Sequence, residues 1–164
     1  MTEAIRVAVL ISSDKGAKGE REDLSGPAIA KKLQGLAEVV ATAIVADNKD
    51  LILEKLIYFA DRLKVDIVFT SGGTGLAPRD VTPEATLLAC ERIVPGITDA
   101  MRLKSLEVTD RAMLSRAVAG TRGKTLIINL PGSPKAVKEC LDVFLPVMEH
   151  AVETLRGEAY ECAR

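Results

Sequence analysis

Residues 5–11 read IRVAVLI, residues 66–70 read DIVFT and residues 125–130 read TLIINL. Each is a short, nearly continuous apolar run rich in β-branched residues. A strand with one face in water alternates apolar and polar positions. A continuous run belongs to a strand covered on both faces, the pattern of a parallel sheet packed between helices.

The segments between these runs supply the helices. Ser25-Gly26-Pro27 places a proline in a first turn, and the segment that follows carries a helix to Gly35. Residues 38–45 (EVVATAIV) read as another strand, with Asp47 just beyond its end. From residue 48 to 63 the apolar positions Ile52, Leu56, Phe59, Ala60 and Leu63 recur at helical spacing. Further helices are expected from Pro83 to about Arg92 and over 97–105, separated by Pro95-Gly96. Residues 115–121 and 125–130 read as strands. A last helix is expected over 135–155, interrupted or kinked at Pro146. Strands alternate with helices through most of the chain, so the reading is one α/β domain, residues 1–164, with a mostly parallel sheet.

Net charge is −1 over 164 residues, which provides no field for nucleic acid or an anionic membrane surface. An anion site in such a chain has to be built locally, from backbone amides and a few side chains. No apolar run approaches the ~20 residues of a membrane span, and the first residues lack the pattern of a secretory signal. Cys90, Cys140 and Cys162 share no metal-like spacing and read as reduced, structural residues. The expected location is the cytoplasm.

In open α/β sheets, ligands bind beyond the carboxyl ends of the strands, near the point where strand order reverses. Four strands end in segments suited to this: SSDKG after the first, Asp47 after the second, SGGTG after the third and PGSPK after the last. A parallel arrangement brings all four to one edge. Residues 70–86 read TSGGTGLAPRDVTPEAT. Gly72, Gly73 and Gly75 let the backbone approach a ligand, Ser71 and Thr74 add hydroxyls, and successive amides can form an anion nest. Taken alone, GGTG reads first as a plain turn. Asp80 shifts that reading: Thr82 is better placed to cap the following helix, which leaves the Asp80 carboxylate for other work. Asp47 is ambiguous by itself, since it or Asn48 can cap the next helix. Two carboxylates beside a phosphate-sized nest point to a Mg²⁺ site, which uses one or two carboxylates plus phosphate oxygens. Residues 120–125 (GTRGKT) end like a phosphate-binding P-loop, but two residues separate the glycines where four are required, and a strand follows rather than a helix. His150, the single histidine, reads as a packed or surface residue.

GGTG followed by LAPRDVTPEAT, then LSRAVAG and TLIINLPGSPKAVKECL, resembles the MogA/MoaB family of molybdenum cofactor biosynthesis, whose domain is also found in gephyrin. The similarity covers nearly the whole chain, including SSDKGAKGEREDLSGP. The resemblance implies a three-layer α/β fold, usually assembled as a homotrimer. It implies a molybdopterin adenylyltransferase, which transfers AMP from Mg-ATP to the terminal phosphate of molybdopterin, releases pyrophosphate and supplies a molybdate-insertion protein. It further implies that Asp47 and Asp80 are the essential aspartates, catalytic and Mg²⁺-binding. Ser71, Gly72–Gly75 and the loop Pro131, Gly132, Ser133 and Pro134 fall on nucleotide- and pterin-binding segments. Ser13 and Asp14 match the first loop, and Ser115 matches the serine of LSR. The alternative expectation is a carrier of the same fold that binds the pterin without chemistry, its two aspartates serving only as helix caps.

Overall fold

A computed structural model describes residues 3–159; Cys162 lies outside them. Six strands form one sheet: β1 (Arg6–Ser12), β2 (Glu38–Val45), β3 (Ile67–Ser71), β4 (Arg92–Ile93), β5 (Ala119–Arg122) and β6 (Thr125–Leu130). Their spatial order is β2-β1-β3-β6-β5-β4. The first four in that order are mutually parallel, whereas β5 runs antiparallel to both β6 and β4. The expected mostly parallel sheet is present.

The apolar runs behave as their composition requires. Along β1, Val7, Val9 and Ile11 join one buried cluster, while Ala8 and Leu10 join another on the opposite face. The first cluster packs under α2 (Ser25–Leu33), α5 (Pro95–Leu106) and α6 (Pro134–Arg156). The second packs under α3 (Lys49–Ile57) and α4 (Thr82–Ala89). Helix, sheet and helix thus make three layers, with no strand face of β1, β3 or β6 left to water. A four-residue helix, α1 (Asp14–Ala17), lies in the polar segment after β1, and a π-helical turn at Tyr58–Arg62 extends α3.

Three expectations are corrected. The helix expected to reach Arg92 ends at Ala89, because Cys90 turns extended (φ −86°, ψ 142°) and Arg92–Ile93 pairs with Thr121 and Gly120 at the sheet edge. The strand expected from Ser115 begins only at Ala119; upstream, the Arg116 amide donates to the Thr74 carbonyl (2.8 Å) and the Val118 amide to Asn129 Oδ1 (3.0 Å), outside any ladder. Finally, α6 runs uninterrupted for 23 residues through Pro146. Phe144 and Met148 on either side are buried, so packing of the apolar stripe outweighs the lost backbone bond at the proline. The GTRGKT segment is a β5–β6 hairpin with Gly123 at φ +55°, which agrees with its rejection as a P-loop.

Candidate active site

After β1 the chain passes to β2 on one side and to β3 on the other, so strand order reverses at β1 and β3. The segments leaving the two strands diverge there and open a crevice at the carboxyl edge. A cavity of about 700 Å³ occupies it, lined by Ser12, Ser13, Asp47, Ser71, Gly72, Gly73, Asp80, Gly132, Ser133 and Pro134 among others. Segments far apart in sequence meet here: the two aspartates, Gly72 and Gly73 of the glycine loop, and Gly132, Ser133 and Pro134 of the PGSP loop line one cavity.

The remaining predicted residues divide from these. Thr74, Gly75, Ser115 and Pro131 line a neighbouring cavity of about 260 Å³ beneath α5 and α6. The GGTG loop is therefore a partition, with Gly72 and Gly73 facing one space and Thr74 and Gly75 the other. Asp14 lines neither cavity and contacts Asp47 instead.

Asp47 is held by its own surroundings. Its Oδ1 accepts a bond from Ser12 Oγ (2.6 Å) and its Oδ2 from the Asp14 amide (3.0 Å). In return, the Asp47 amide donates to Asp14 Oδ1 (3.0 Å). The helix cap comes from the next residue, Asn48, whose side chain accepts from the Leu51 amide. The ambiguity between Asp47 and Asn48 is resolved: the asparagine caps, and the aspartate faces the cavity.

Asp80 comes to the cavity by a different route. Its Oδ2 accepts from the Ala77 amide (3.1 Å), closing the turn that carries LAPRD. Thr82 does not cap α4, contrary to expectation. The residue at the cap is Val81, with no side-chain bond, and Thr82 Oγ1 is buried without a hydrogen-bond partner. Thr82 instead fills the space beside Gly73, where any Cβ would meet its hydroxyl. Neither aspartate serves as a helix cap.

The glycine loop is anchored on both flanks. Ser71 Oγ donates to the Pro131 carbonyl (2.8 Å), and the Gly72 amide donates to the Leu130 carbonyl (3.3 Å). Gly72 and Gly73 have φ of +95° and +69°, a region glycine adopts freely. A Cβ on Gly72 would lie 2.5 Å from the Ser12 carbonyl oxygen, so the close approach of β1 and β3 here requires glycine. The PGSP loop is tied from the other side by Ser25 Oγ, which donates to the Gly132 carbonyl (2.8 Å). Two predicted hydroxyls are engaged in capping: Ser13 Oγ accepts from the Gly16 amide and Ser133 Oγ from the Ala136 amide.

Sequence reasoning missed several contributors. Ser12 ends the first apolar run and orients Asp47. Asn129 is fully buried in β6, donating through Nδ2 to Thr70 Oγ1 and Thr86 Oγ1, both at 2.9 Å. A polar residue inside TLIINL was the available signal. Arg79 pairs with Asp14 at the rim through Nε–Oδ2 (2.5 Å) and Nη2–Oδ1 (2.8 Å), and its guanidinium holds the Asp14 carboxyl below the usual carboxylate range. Among the described residues no group of three or more His, Cys, Asp or Glu side chains is placed to hold a metal alone. Two carboxylates on one cavity fit a cation that completes its shell with phosphate oxygens and water, as Mg²⁺ does.

Residues 8–150 match the family model described as "Probable molybdopterin binding domain". The chain belongs to the molybdopterin-binding domain family. It is similar to the molybdopterin adenylyltransferase of Helicobacter pylori, 44% identical over 161 residues, covering 94% of this chain and 90% of the relative. The molybdopterin adenylyltransferase of Escherichia coli is 37% identical over 141 residues, covering 84% and 72%. Among solved structures, the molybdopterin biosynthesis enzyme MoaB of Thermus thermophilus is 49% identical with a TM-score of 0.89, covering 96% of this chain and 99% of its own. The family's three-layer fold is thus the one the apolar runs require.

Proposed function

We propose that this protein is a molybdopterin adenylyltransferase of molybdenum cofactor biosynthesis, working as one unit over its 164 residues. The observation that carries the reading is the cavity at the strand-order reversal, where Asp47, Asp80 and the glycine loop meet. The close identity to named adenylyltransferases supports the same chemistry.

In the proposed reaction a terminal phosphate oxygen of molybdopterin attacks the α-phosphorus of ATP. The bond from that phosphorus to the bridging oxygen breaks, and pyrophosphate leaves with the electron pair. The attacking phosphate is already ionised, so no strong general base is needed. Positioning and charge neutralisation then supply the rate. The glycine loop receives the nucleotide phosphates where Gly73 lines the cavity beside Asp47 and Asp80, and the PGSP loop with Ser13 closes the opposite wall. Asp47 and Asp80 would hold Mg²⁺, which would supply charge neutralisation at the phosphates. Asp14 and Ser12 keep Asp47 in place through the three bonds described above. Ser115, Thr74 and Pro131 border the adjoining cavity and contribute to the pterin side. The working form is a cytoplasmic homotrimer that passes its product to a molybdate-insertion protein.

The test is incubation with Mg-ATP and molybdopterin, followed by detection of pyrophosphate and adenylylated pterin. Product is expected from the wild type. Asp80→Ala is expected to lower turnover by about 10²–10³ while retaining the fold, the usual scale for one preorganised electrostatic contact. Pterin binding without product by the wild type would establish the carrier instead. Near-normal turnover of Asp80→Ala would remove Asp80 from the mechanism.

A further inference from the structure

The loop that presents Asp80 is weakly held by its own residues. Leu76 is 65% exposed, and Ala77, Pro78 and Arg79 are exposed as well. Within the loop, Asp80 and Ala77 exchange two bonds, Asp80 N to Ala77 O (2.9 Å) and Ala77 N to Asp80 Oδ2. The Arg79–Asp14 pair is at the surface, where water and salt screen an ion pair and leave it little holding power. These contacts close a turn but do not fix it against the rest of the site.

Arg116 does that. Its Nε donates to the Gly75 carbonyl at 2.7 Å, and its Nη2 to the Asp80 carbonyl at 2.7 Å. Its Nη1 pairs with the Glu84 carboxylate on α4. Its own backbone amide donates to the Thr74 carbonyl. One planar guanidinium therefore grips both ends of the Gly75-to-Asp80 loop and the first turn of the helix beyond it. Arg116 lines neither cavity, so it reaches a substrate only through the residues it holds.

We propose that Arg116 is a positioning residue of this site, its guanidinium clamping the last glycine of GGTG and the Asp80 backbone to α4 so that nest and carboxylate keep one geometry. Lysine cannot replace it, because an ammonium is a single point of donation and the three acceptors are spread around a rigid fork. The Glu84 partner has a second reason to be paired: its Oε2 is buried without a hydrogen-bond partner, so loss of the guanidinium leaves its charge uncompensated. The inference rests on the adenylyl-transfer reading, and the wild type assayed in parallel reports on that reading separately.

The test uses Arg116→Lys and Arg116→Ala in the full chain, with pyrophosphate release as the activity and thermal unfolding as the fold control. Misplacing reacting groups by an ångström can cost about 10² in rate, so kcat is expected to fall by roughly 10–10² in both variants. The KM for ATP should change far less, since the nest's other glycines remain anchored through Ser71 and Leu130. Added guanidinium ion should restore part of the kcat of Arg116→Ala, whereas urea at equal concentration should not. Arg116→Lys with kcat within threefold of wild type would overturn the proposal. So would a loss in Arg116→Ala that follows its unfolded fraction and does not respond to guanidinium; if Arg116→Ala does not fold, the lysine variant alone decides through its kcat and KM.

Discussion

Gly72→Ala separates the steric demand of the strand crossing from the general cost of a left-handed residue. Gly72 sits at φ +95°, and a Cβ there would lie 2.5 Å from the Ser12 carbonyl oxygen. Gly123, in the β5–β6 hairpin, has φ +55° but no heavy atom within 4 Å of the same built Cβ. Gly123→Ala therefore pays only the backbone penalty, about 1–2 kcal/mol for a residue with a side chain. Gly72→Ala adds an overpacking clash against backbone, which cannot rotate away, at about 1–3 kcal/mol. The expected losses are thus about 1–2 kcal/mol for Gly123→Ala and about 2–5 kcal/mol for Gly72→Ala. Urea denaturation at fixed protein concentration measures both, and unchanged m-values would show that the comparison concerns the native state. Activity sharpens the contrast. Relief of the clash pushes the end of β1 outward, carrying Ser12 away from Asp47 Oδ1, so Gly72→Ala should lose most turnover even where it is folded. Gly123→Ala should keep it. If Gly72→Ala were no less stable than Gly123→Ala, the close approach of β1 to the glycine loop would not be what demands glycine.

Asn129→Ala should destabilise the fold by about 1–3 kcal/mol, the scale for buried partners left unsatisfied, because the Val118 amide and two threonine hydroxyls lose their partner. Denaturant unfolding measures it, and no loss would mean that those groups find other partners. The Cys90 thiol is pushed up to about 11 by burial, so it stays neutral at physiological pH. Its alkylation, followed by mass spectrometry of the Cys90 peptide, should be slow at pH 8 and accelerate only as pH approaches the raised value. Because the folded pKa lies above the ordinary thiol value of 9.0, this group's contribution to stability is full below pH 9 and is lost as pH rises toward 11. Rapid labelling at pH 8 would contradict the burial of this thiol.

Much of the architecture was legible because strand burial is written in local composition. A run such as IRVAVLI has no polar face, so it must lie inside a covered sheet, and the strands over 38–45 and 125–130 appear with their expected bounds. The gathering of Asp47, Asp80, the glycine loop and PGSP at one edge was equally legible, since parallel strands deliver their carboxyl ends together. The boundaries that failed did so where long-range partners replaced local ones. Residues 115–118 have strand-like composition, but the Arg116 amide is taken by the Thr74 carbonyl and the Val118 amide by Asn129 Oδ1. Arg92–Ile93 continues a helical pattern, but pairs across to Gly120 and Thr121 at the sheet edge.

By itself, then, the chain's composition and motif spacing determined the layers, the edge at which a ligand sits and the residue types that meet there. Only the tertiary structure decided which atoms face the cavity. Asn48 rather than Asp47 caps α3, Thr82 leaves α4 uncapped to pack against Gly73, and GGTG divides two cavities instead of lining one. The reason is the range of the forces. Propensity and periodicity act within a few residues along the chain. The placing of each aspartate depends on donors 33 to 36 positions away, the Asp14 amide on the Asp47 carboxylate and the Arg116 guanidinium on the Asp80 backbone carbonyl, and these meet only once the sheet has formed.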